Sequence, residues 1–393
     1  MTPLRSLAAF AAALLPVCVL RAQPTPAAPF PLAVGAGVDT TGRQHDPFVL
    51  WRDYLGDRPD SVRPNDAPDA AWSRDERARW PIVDLTSTWL YVGADWARGL
   101  SATLVELAPD TPGDTTAYVV RTLFSRVDGG VVRPVALVRV YAVRDGGRWA
   151  LANALPRLTR DWPRVRAGHV EFAYGPGRRA DTALAAHAGR FIDSAAAALG
   201  IAPPAAAYYL VASPREMARI LGLEFALPPN TGRVYAEDGI VVAGSPGTTE
   251  WNTHDLAHVL LAPLVPSAAP RWWSEGAATW IGGRSGRDFP RLVRELAGDL
   301  AENPGRTLDS LVAPHAWRDS VSTTAAAVLV RLAFERGGAA AVRALATAPD
   351  ASPTGVRRAA ATALGVRPDQ VEAVWRKAVA RLAVRDSLSH ESR

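Results

Sequence analysis

The chain of 393 residues has one cysteine, Cys18, and one lysine, Lys377. Cys18 lies in an N-terminal stretch that we expect to be removed, so the mature chain would offer no thiol for a disulfide, a nucleophile or a metal site. Any metal ion must then be held by His, Asp or Glu.

The positive charge is almost all arginine, and it alternates with acidic residues along the chain. This pattern favours background composition, with an acidic partner such as a membrane surface or nucleic acid as the alternative.

Long apolar runs are scarce, and the N-terminal one is typical of an export signal. Arg5 precedes the apolar stretch Leu7–Leu20, and Ala22 supplies a small residue for cleavage. The stretch is short for a membrane span and is interrupted by Pro16. We therefore expect a signal peptide over residues 1–22 and a periplasmic or secreted mature chain without an integral membrane span. An uncleaved anchor is the alternative.

The remaining chain divides into four parts by composition. Residues 23–70 are rich in Pro, Asp and Gly, which predicts a linker with a partly ordered lead-in. Residues 71–163 are expected to form a β-rich accessory domain, and residues 164–385 change to strands followed by mainly helical segments. Residues 386–393 form a polar tail. The predicted fold class is α+β, with an N-terminal antiparallel β domain before a helix-rich domain.

Hairpin signals support the β-rich part. Asp128-Gly129-Gly130 and Asp145-Gly146-Gly147 separate runs that are rich in Val, Leu and Tyr, and such turns join antiparallel strands. The segment Val140–Trp149 resembles the NTF2-like group, which implies a curved antiparallel sheet with a helix. An accessory β domain without chemistry is the alternative interpretation.

The strongest chemical signal is a pair of histidines followed by a glutamate. His254 and His258 are four residues apart, so on a helix their side chains project from one face. Both imidazoles can then reach one ion, and Glu275 on the next helix could be a third ligand. Three protein ligands leave a fourth position for water, which is typical of a catalytic zinc site. We therefore predict one zinc ion at these residues.

The residues around this set favour a metal site over a chance pair of histidines. Gly276 lacks a side chain and is expected to let the two motif helices approach closely. Apolar residues near the histidines, Leu256 and Val259 among them, should keep the site dry. A structural helix pair that binds no metal is the alternative.

The sequence His254-Asp255-x-x-His258, followed by Glu275-Gly276-Ala277-Ala278, resembles the gluzincin metallopeptidases, specifically the bacterial peptidase MA-like group. The resemblance covers roughly residues 170–382. It implies a zincin-like domain in which His254, His258 and Glu275 bind zinc and a peptide or protein substrate is hydrolysed. It also implies an edge strand, here assigned to Ile240–Ala243, that pairs with an extended peptide.

Two departures from that family pattern concern catalysis. Asp255 stands where the family has its general base Glu, which withdraws the carboxylate by about 1.5 Å, and displacements near 1 Å can cost on the order of 10²-fold. The family's late Tyr, which stabilises the oxyanion, is also absent; residues 322–324 are Ser, Thr and Thr, and His315 is a weaker substitute. Two hypotheses stay open. Asp255 is a weakened general base, or the chain is a catalytically degenerate metal- or peptide-binding envelope protein.

Further candidates carry two interpretations each. Glu250 could orient an imidazole or only favour the positive end of a helix. Four tryptophans could line a substrate site or pack in the core; they are Trp251, Trp272, Trp273 and Trp280. The Gly-rich segment 282–286 follows a helix, so it is expected to end that helix rather than to bind phosphate.

Overall fold

The computed structural model describes residues 32–56, 69–81, 84–86, 100–226, 232–266, 269–312, 319–348, 350 and 352–390. The expected signal peptide, residues 1–22, and His315 lie outside these residues, so the expectations about them stay predictions. The last three residues of the expected polar tail lie outside them as well.

The first sheet combines a meander with two added strands. Its strands are β1 (Leu32–Val34), β2 (Leu100–Pro109), β3 (Ala117–Asp128), β4 (Val131–Asp145), β5 (Arg148–Ala152) and β9 (Leu223–Ala226). Strands β2 to β5 are antiparallel in chain order, β1 runs parallel to β2, and β9 pairs antiparallel with β4. Both residues of each Gly-Gly turn have positive φ, as two-residue hairpin turns require. The two predicted hairpins are confirmed.

The second sheet lies nearest the motif helices. Its strands are β6 (Arg164–Ala167), β7 (Val170–Tyr174), β8 (Ala206–Leu210), β10 (Gly232–Tyr235) and β11 (Ile240–Ala243), in the order β10-β11-β8-β7-β6. Strands β7, β8 and β11 are parallel, and β10 is antiparallel to β11. The assignment of Ile240–Ala243 as the edge strand is wrong, because β11 pairs with β8 on one side and with β10 on the other. Among the described strands, β10 lies at this end of the sheet.

Most of the chain after β11 is helical, as predicted. The helices are α1 (His45–Gly56), α2 (Arg74–Arg79), α3 (Ala154–Leu158), α4 (Thr182–Leu199), α5 (Pro214–Ile220), α6 (Thr253–Leu261), α7 (Arg271–Gly282), α8 (Phe289–Glu302), α9 (Leu308–Leu311), α10 (Ser320–Ala346), α11 (Pro353–Leu364) and α12 (Val371–His390). Gly337 and Gly338 kink α10, because both have non-helical backbone angles. None of the described helices is long and apolar enough to cross a membrane.

Two hydrophobic cores lie on the two faces of the second sheet. In β8, Tyr208 belongs to the core shared with α4, α6, α7 and α10, whereas Tyr209 belongs to the core shared with the first sheet. Alternation of side chains along a strand explains this division. The second core also contains Trp51 and Tyr54 of α1. The expected lead-in therefore contains a helix whose aromatic side chains pack against the first sheet.

Candidate metal centre

Helix α6 brings the two motif histidines onto one partly buried face of an otherwise buried helix. Its side chains at Leu256, Val259 and Leu260 are buried in the core. The imidazole rings of His254 and His258 lie on the opposite side, with centroids 5.0 Å apart and perpendicular planes. The helix begins at Thr253, one residue before the first histidine. The predicted common face of the two histidines is confirmed.

Glu275 of α7 completes the cluster. Its Oε2 lies 3.2 Å from His254 Nε2, and its Oε1 lies 3.8 Å from His258 Nε2. One potential ligand atom from each of the three residues lies within 4.8 Å of the others. Two atoms bound to one tetrahedral zinc ion at 2.0–2.1 Å are about 3.3 Å apart. The three side chains therefore form a cluster that could bind a metal ion.

Contacts on the far side of each ring orient the imidazoles. His254 Nδ1 lies 2.7 Å from the carbonyl oxygen of Gly283, and His258 Nδ1 lies 3.3 Å from Ser274 Oγ. A carbonyl only accepts, so Nδ1 of His254 donates to it, and Nε2 is the ring nitrogen that faces Glu275. Metal-binding histidines usually have such a partner on the second ring nitrogen. The sequence analysis found neither partner, although it predicted that Gly283 ends a helix, which is confirmed by its position as the C-cap of α7.

The ionisation of these groups suits a cation. Burial lowers the pKa of His258 to about 4, with a further contribution from His254, so this imidazole is neutral at neutral pH. Burial acts to raise the pKa of Glu275, but the hydrogen bond from His254 and nearby positive charge lower it to about 2. A neutral imidazole beside an ionised carboxylate is the protonation state that metal ligation requires.

Arg284 is a fourth member of the cluster, which the sequence analysis did not identify. Its Nη1 donates to Glu275 Oε2 at 2.7 Å, and both side chains are only 18% exposed. The guanidinium therefore contacts the carboxylate oxygen that faces His254. A permanent positive charge at a metal ligand could not be inferred from spacing along the chain, because it depends on the turn that follows α7.

Asp255 is next to His254 in sequence, but its carboxylate lies toward the second sheet. Asn252 Nδ2 donates to Asp255 Oδ2 at 2.7 Å, and a Cβ atom built on Gly232 would be 3.8 Å from the same oxygen. The carboxylate therefore lies beside the first residue of β10. Burial raises the pKa of Asp255, which increases its basicity relative to an exposed aspartate.

Gly276 has a different packing role from the one expected. A Cβ on Gly276 would lie 2.4 Å from Ala326 Cβ, so this glycine allows contact between α7 and α10. The expectation that Gly276 brings the two motif helices together is wrong. Gly282 has that role instead, because its Cβ would lie 2.2 Å from the carbonyl oxygen of Thr253 in α6.

For the remaining candidate residues, the described contacts are ones that hold the fold together. Glu250 accepts hydrogen bonds from Tyr174 Oη at 3.0 Å and from the backbone N–H of Asp181 at 2.8 Å, so it joins β7 to the start of α4.

Trp272 and Trp273 are buried, as core packing requires. The ring of Trp280 packs on Phe334, and the ring of Trp251 on His187. The hydroxyls of Thr323 and Thr324 donate to the carbonyl of Ser320 within α10.

The comparisons with known proteins give only distant structural similarity. No protein-family profile matches this chain, and no curated protein matches it. A mutant M1 zinc metallopeptidase from Deinococcus radiodurans aligns over 70% of this chain and 62% of its own, with 16% identity and a TM-score of 0.33. A mutant bound to a Tyr-Ser-Ala substrate aligns over 70% and 63%, with 16% identity and a TM-score of 0.34.

The chain thus spans less than two thirds of the length of these M1 zinc metallopeptidases. Similarity at this level carries no information about activity, so the function has to be inferred from the residues of the site.

Proposed function

We propose that His254, His258 and Glu275 bind one zinc ion and that this chain hydrolyses peptide bonds. The observation that carries the proposal is the convergence of the three ligand groups within 4.8 Å. Both imidazoles also have a partner at Nδ1, which leaves Nε2 for the metal. A zinc ion bound here would supply Lewis acidity and lower the pKa of a water molecule toward neutrality.

Asp255 is the general base in this proposal. Its carboxylate takes a proton from the attacking water and returns it to the leaving amine, so that one water is added across the peptide bond. Burial raises the pKa of this carboxyl group, and a general base is most effective when its pKa approaches the working pH. The hydrogen bond from Asn252 fixes the carboxylate orientation.

An extended peptide is the substrate that the neighbouring sheet favours. Strand β10 has a described partner on one side only, β11, and unpaired backbone groups at an edge can pair with a peptide. The first residue of β10, Gly232, is also the one beside the Asp255 carboxylate. A peptide paired along β10 would therefore run past the base.

A second candidate function is binding of metal or peptide without turnover. Two observations favour it. Asp255 has a shorter side chain than the family's glutamate, and Arg284 contacts the ligand carboxylate of Glu275. In this case the chain would retain the ligands but hydrolyse nothing.

Hydrolysis of an unstructured protein by the zinc-loaded mature chain separates the two functions. We expect slow cleavage by the wild type, loss of cleavage in Asp255→Asn, and a gain on the order of 10² in Asp255→Glu, which returns the carboxylate to the glutamate position. Asp161→Glu makes the same change at an exposed position and should not alter the rate. If the wild type binds zinc but does not cleave the protein, while Asp255→Glu does, the natural chain is a binding protein and not a peptidase.

Export is proposed on the sequence alone. Mass spectrometry of the protein recovered outside the cytoplasm should give a chain that begins at Gln23, after cleavage behind Ala22. A chain that retains its first 22 residues would contradict this part of the proposal.

A further inference from the structure

Arg284 is in contact with the proposed metal site but has no part in the proposed reaction. Its Nη1 is 2.7 Å from Glu275 Oε2, while His254 Nε2 is 3.2 Å from the same oxygen. The guanidinium and the imidazole thus share one carboxylate oxygen. A metal ion held by His254 and Glu275 would have to lie in the same neighbourhood.

The turn after α7 fixes the backbone of Arg284. The N–H of Arg284 donates to the carbonyl of Arg287 at 2.8 Å, and the N–H of Arg287 returns a bond to Arg284 at 3.0 Å. Gly283 and Ser285 have φ values of 71° and 51°, a conformation that costs energy for the serine. The same turn supplies the Gly283 carbonyl that orients His254. Arg284 is therefore placed by the element that also positions a ligand.

The positive charge of Arg284 opposes the binding of a second cation at Glu275. Glu275 is the only carboxylate among the three ligand residues, and Arg284 already balances its charge. A divalent cation bound to Glu275 would be repelled by the positive guanidinium of Arg284, which contacts the same carboxylate group. Because the site is little exposed, solvent screens this repulsion only weakly. An arginine keeps its charge throughout the accessible pH range, so this repulsion is permanent.

We infer that Arg284 is an internal counter-cation of Glu275 that competes with the metal ion and weakens metal binding. The inference rests on the proposed metal site. In the metal-free chain, the ion pair stabilises a largely buried carboxylate, together with the contact from the imidazole of His254. When the metal binds, the guanidinium must give up or share Glu275 Oε2. Arg284 therefore acts through Glu275, as a positioning residue and not as a ligand.

Two variants that remove the charge test the inference. Arg284→Gln and Arg284→Met should bind zinc at least about 10-fold more tightly than the wild type, equivalent to about 1.4 kcal/mol. Arg284→Met retains an apolar stem and serves if the glutamine variant does not fold. Affinity is measured with zinc alone, by competition against a chelating dye. Metal-free thermal unfolding is measured in parallel, and here both variants should have a lower Tm than the wild type.

Arg287→Gln is the matched control, because Arg287 lies in the same turn but pairs with Glu295. Its zinc affinity should equal that of the wild type. A purely structural role for Arg284 predicts equal or weaker zinc binding in the Arg284 variants, and that result would overturn the inference while leaving the metal site intact.

The two proposals fail in different ways. Absence of zinc binding in the wild type and in all variants would contradict the metal site itself, and the inference with it. Binding by Arg284→Gln alone would support the inference in its strongest form, because the ion pair would then be sufficient to exclude the metal.

Discussion

Glu76 and Glu275 are both largely enclosed carboxylates, but they lie in different halves of the chain and have different partners. Glu76 in α2 accepts hydrogen bonds from the backbone N–H of Asn153 at 2.9 Å and from its side-chain amide at 2.7 Å. Burial raises the pKa of Glu76 to about 7 in spite of these bonds. Glu275 has an imidazole and a guanidinium as partners, and its pKa is lowered to about 2 although burial opposes the shift.

The difference shows how the surroundings of a buried carboxylate separate a structural role from a chemical one. Neutral donors around Glu76 join α2 to the end of β5, but they do not offset the cost of burying a charge. Around Glu275, cationic and imidazole groups keep the carboxylate ionised at neutral pH. Only the second arrangement gives the anionic oxygen that a metal ion requires.

The largest expected effect is the loss of zinc affinity when one of the three proposed metal ligands, His258, is removed. His258→Ala should reduce zinc affinity by more than the roughly 10–100-fold that loss of an outer hydrogen-bond partner costs, because a metal-binding nitrogen is lost. Competition titration and elemental analysis measure this. His187→Ala, which removes an exposed histidine packed on Trp251, should leave zinc binding unchanged. Equal affinity in the two variants would contradict the assignment of His258.

The raised pKa of Glu76 should make the folded chain less stable as pH rises. A typical acidic group, whose pKa is lowered by folding, has the opposite effect. Its pKa in the folded chain, about 7, exceeds its ordinary value of 4.5. The contribution of Glu76 to the unfolding free energy is therefore fully present below pH 4.5 and is lost as pH rises through 7. The loss should be about 3 kcal/mol.

Denaturant unfolding at a series of pH values measures this contribution. Glu76→Gln should remove the part of the decline that belongs to Glu76, whereas Glu302→Gln, at an exposed position of α8, should keep it. If Glu76→Gln declines with pH as steeply as the wild type, the burial of an ionised Glu76 is not the cause.

The packing beside Glu275 gives a smaller effect. Gly276→Ala would place a Cβ atom 2.4 Å from Ala326 Cβ, so α7 and α10 must separate, at a cost of about 1–3 kcal/mol in unfolding free energy. In Gly298→Ala, the new Cβ would meet nothing within 4 Å, and alanine should stabilise α8 by about 0.5–1 kcal/mol. Thermal unfolding distinguishes the two signs. A neutral Gly276→Ala would show that this helix contact adapts.

Local spacing predicted the features that depend on one helix or one turn. The common face of His254 and His258 follows from four-residue spacing, and the first-sheet hairpins follow from their Gly-Gly turns. The end of α7 at Gly283 is of the same kind. Each of these depends on backbone geometry within a few residues.

Features that depend on contacts between distant segments were missed or assigned wrongly. Ile240–Ala243 was assigned as the edge strand, but the edge strand is β10, because β11 also pairs with β8, a parallel partner some thirty residues earlier in the chain. The helix that packs on Gly276 is α10, some fifty residues later in the chain. Arg284 reaches Glu275 only because the turn at residues 283–287 folds back. Sequence periodicity contains no information on such pairings.

The most direct test of the metal site is anomalous diffraction at the zinc absorption edge from crystals of the mature chain soaked in zinc. The account predicts one strong anomalous peak between His254 Nε2, His258 Nε2 and the Glu275 carboxylate. It also predicts that the guanidinium of Arg284 then lies farther than 2.7 Å from Glu275 Oε2. Crystals that contain zinc elsewhere, or none, while Arg284 keeps its contact with Glu275, would contradict it.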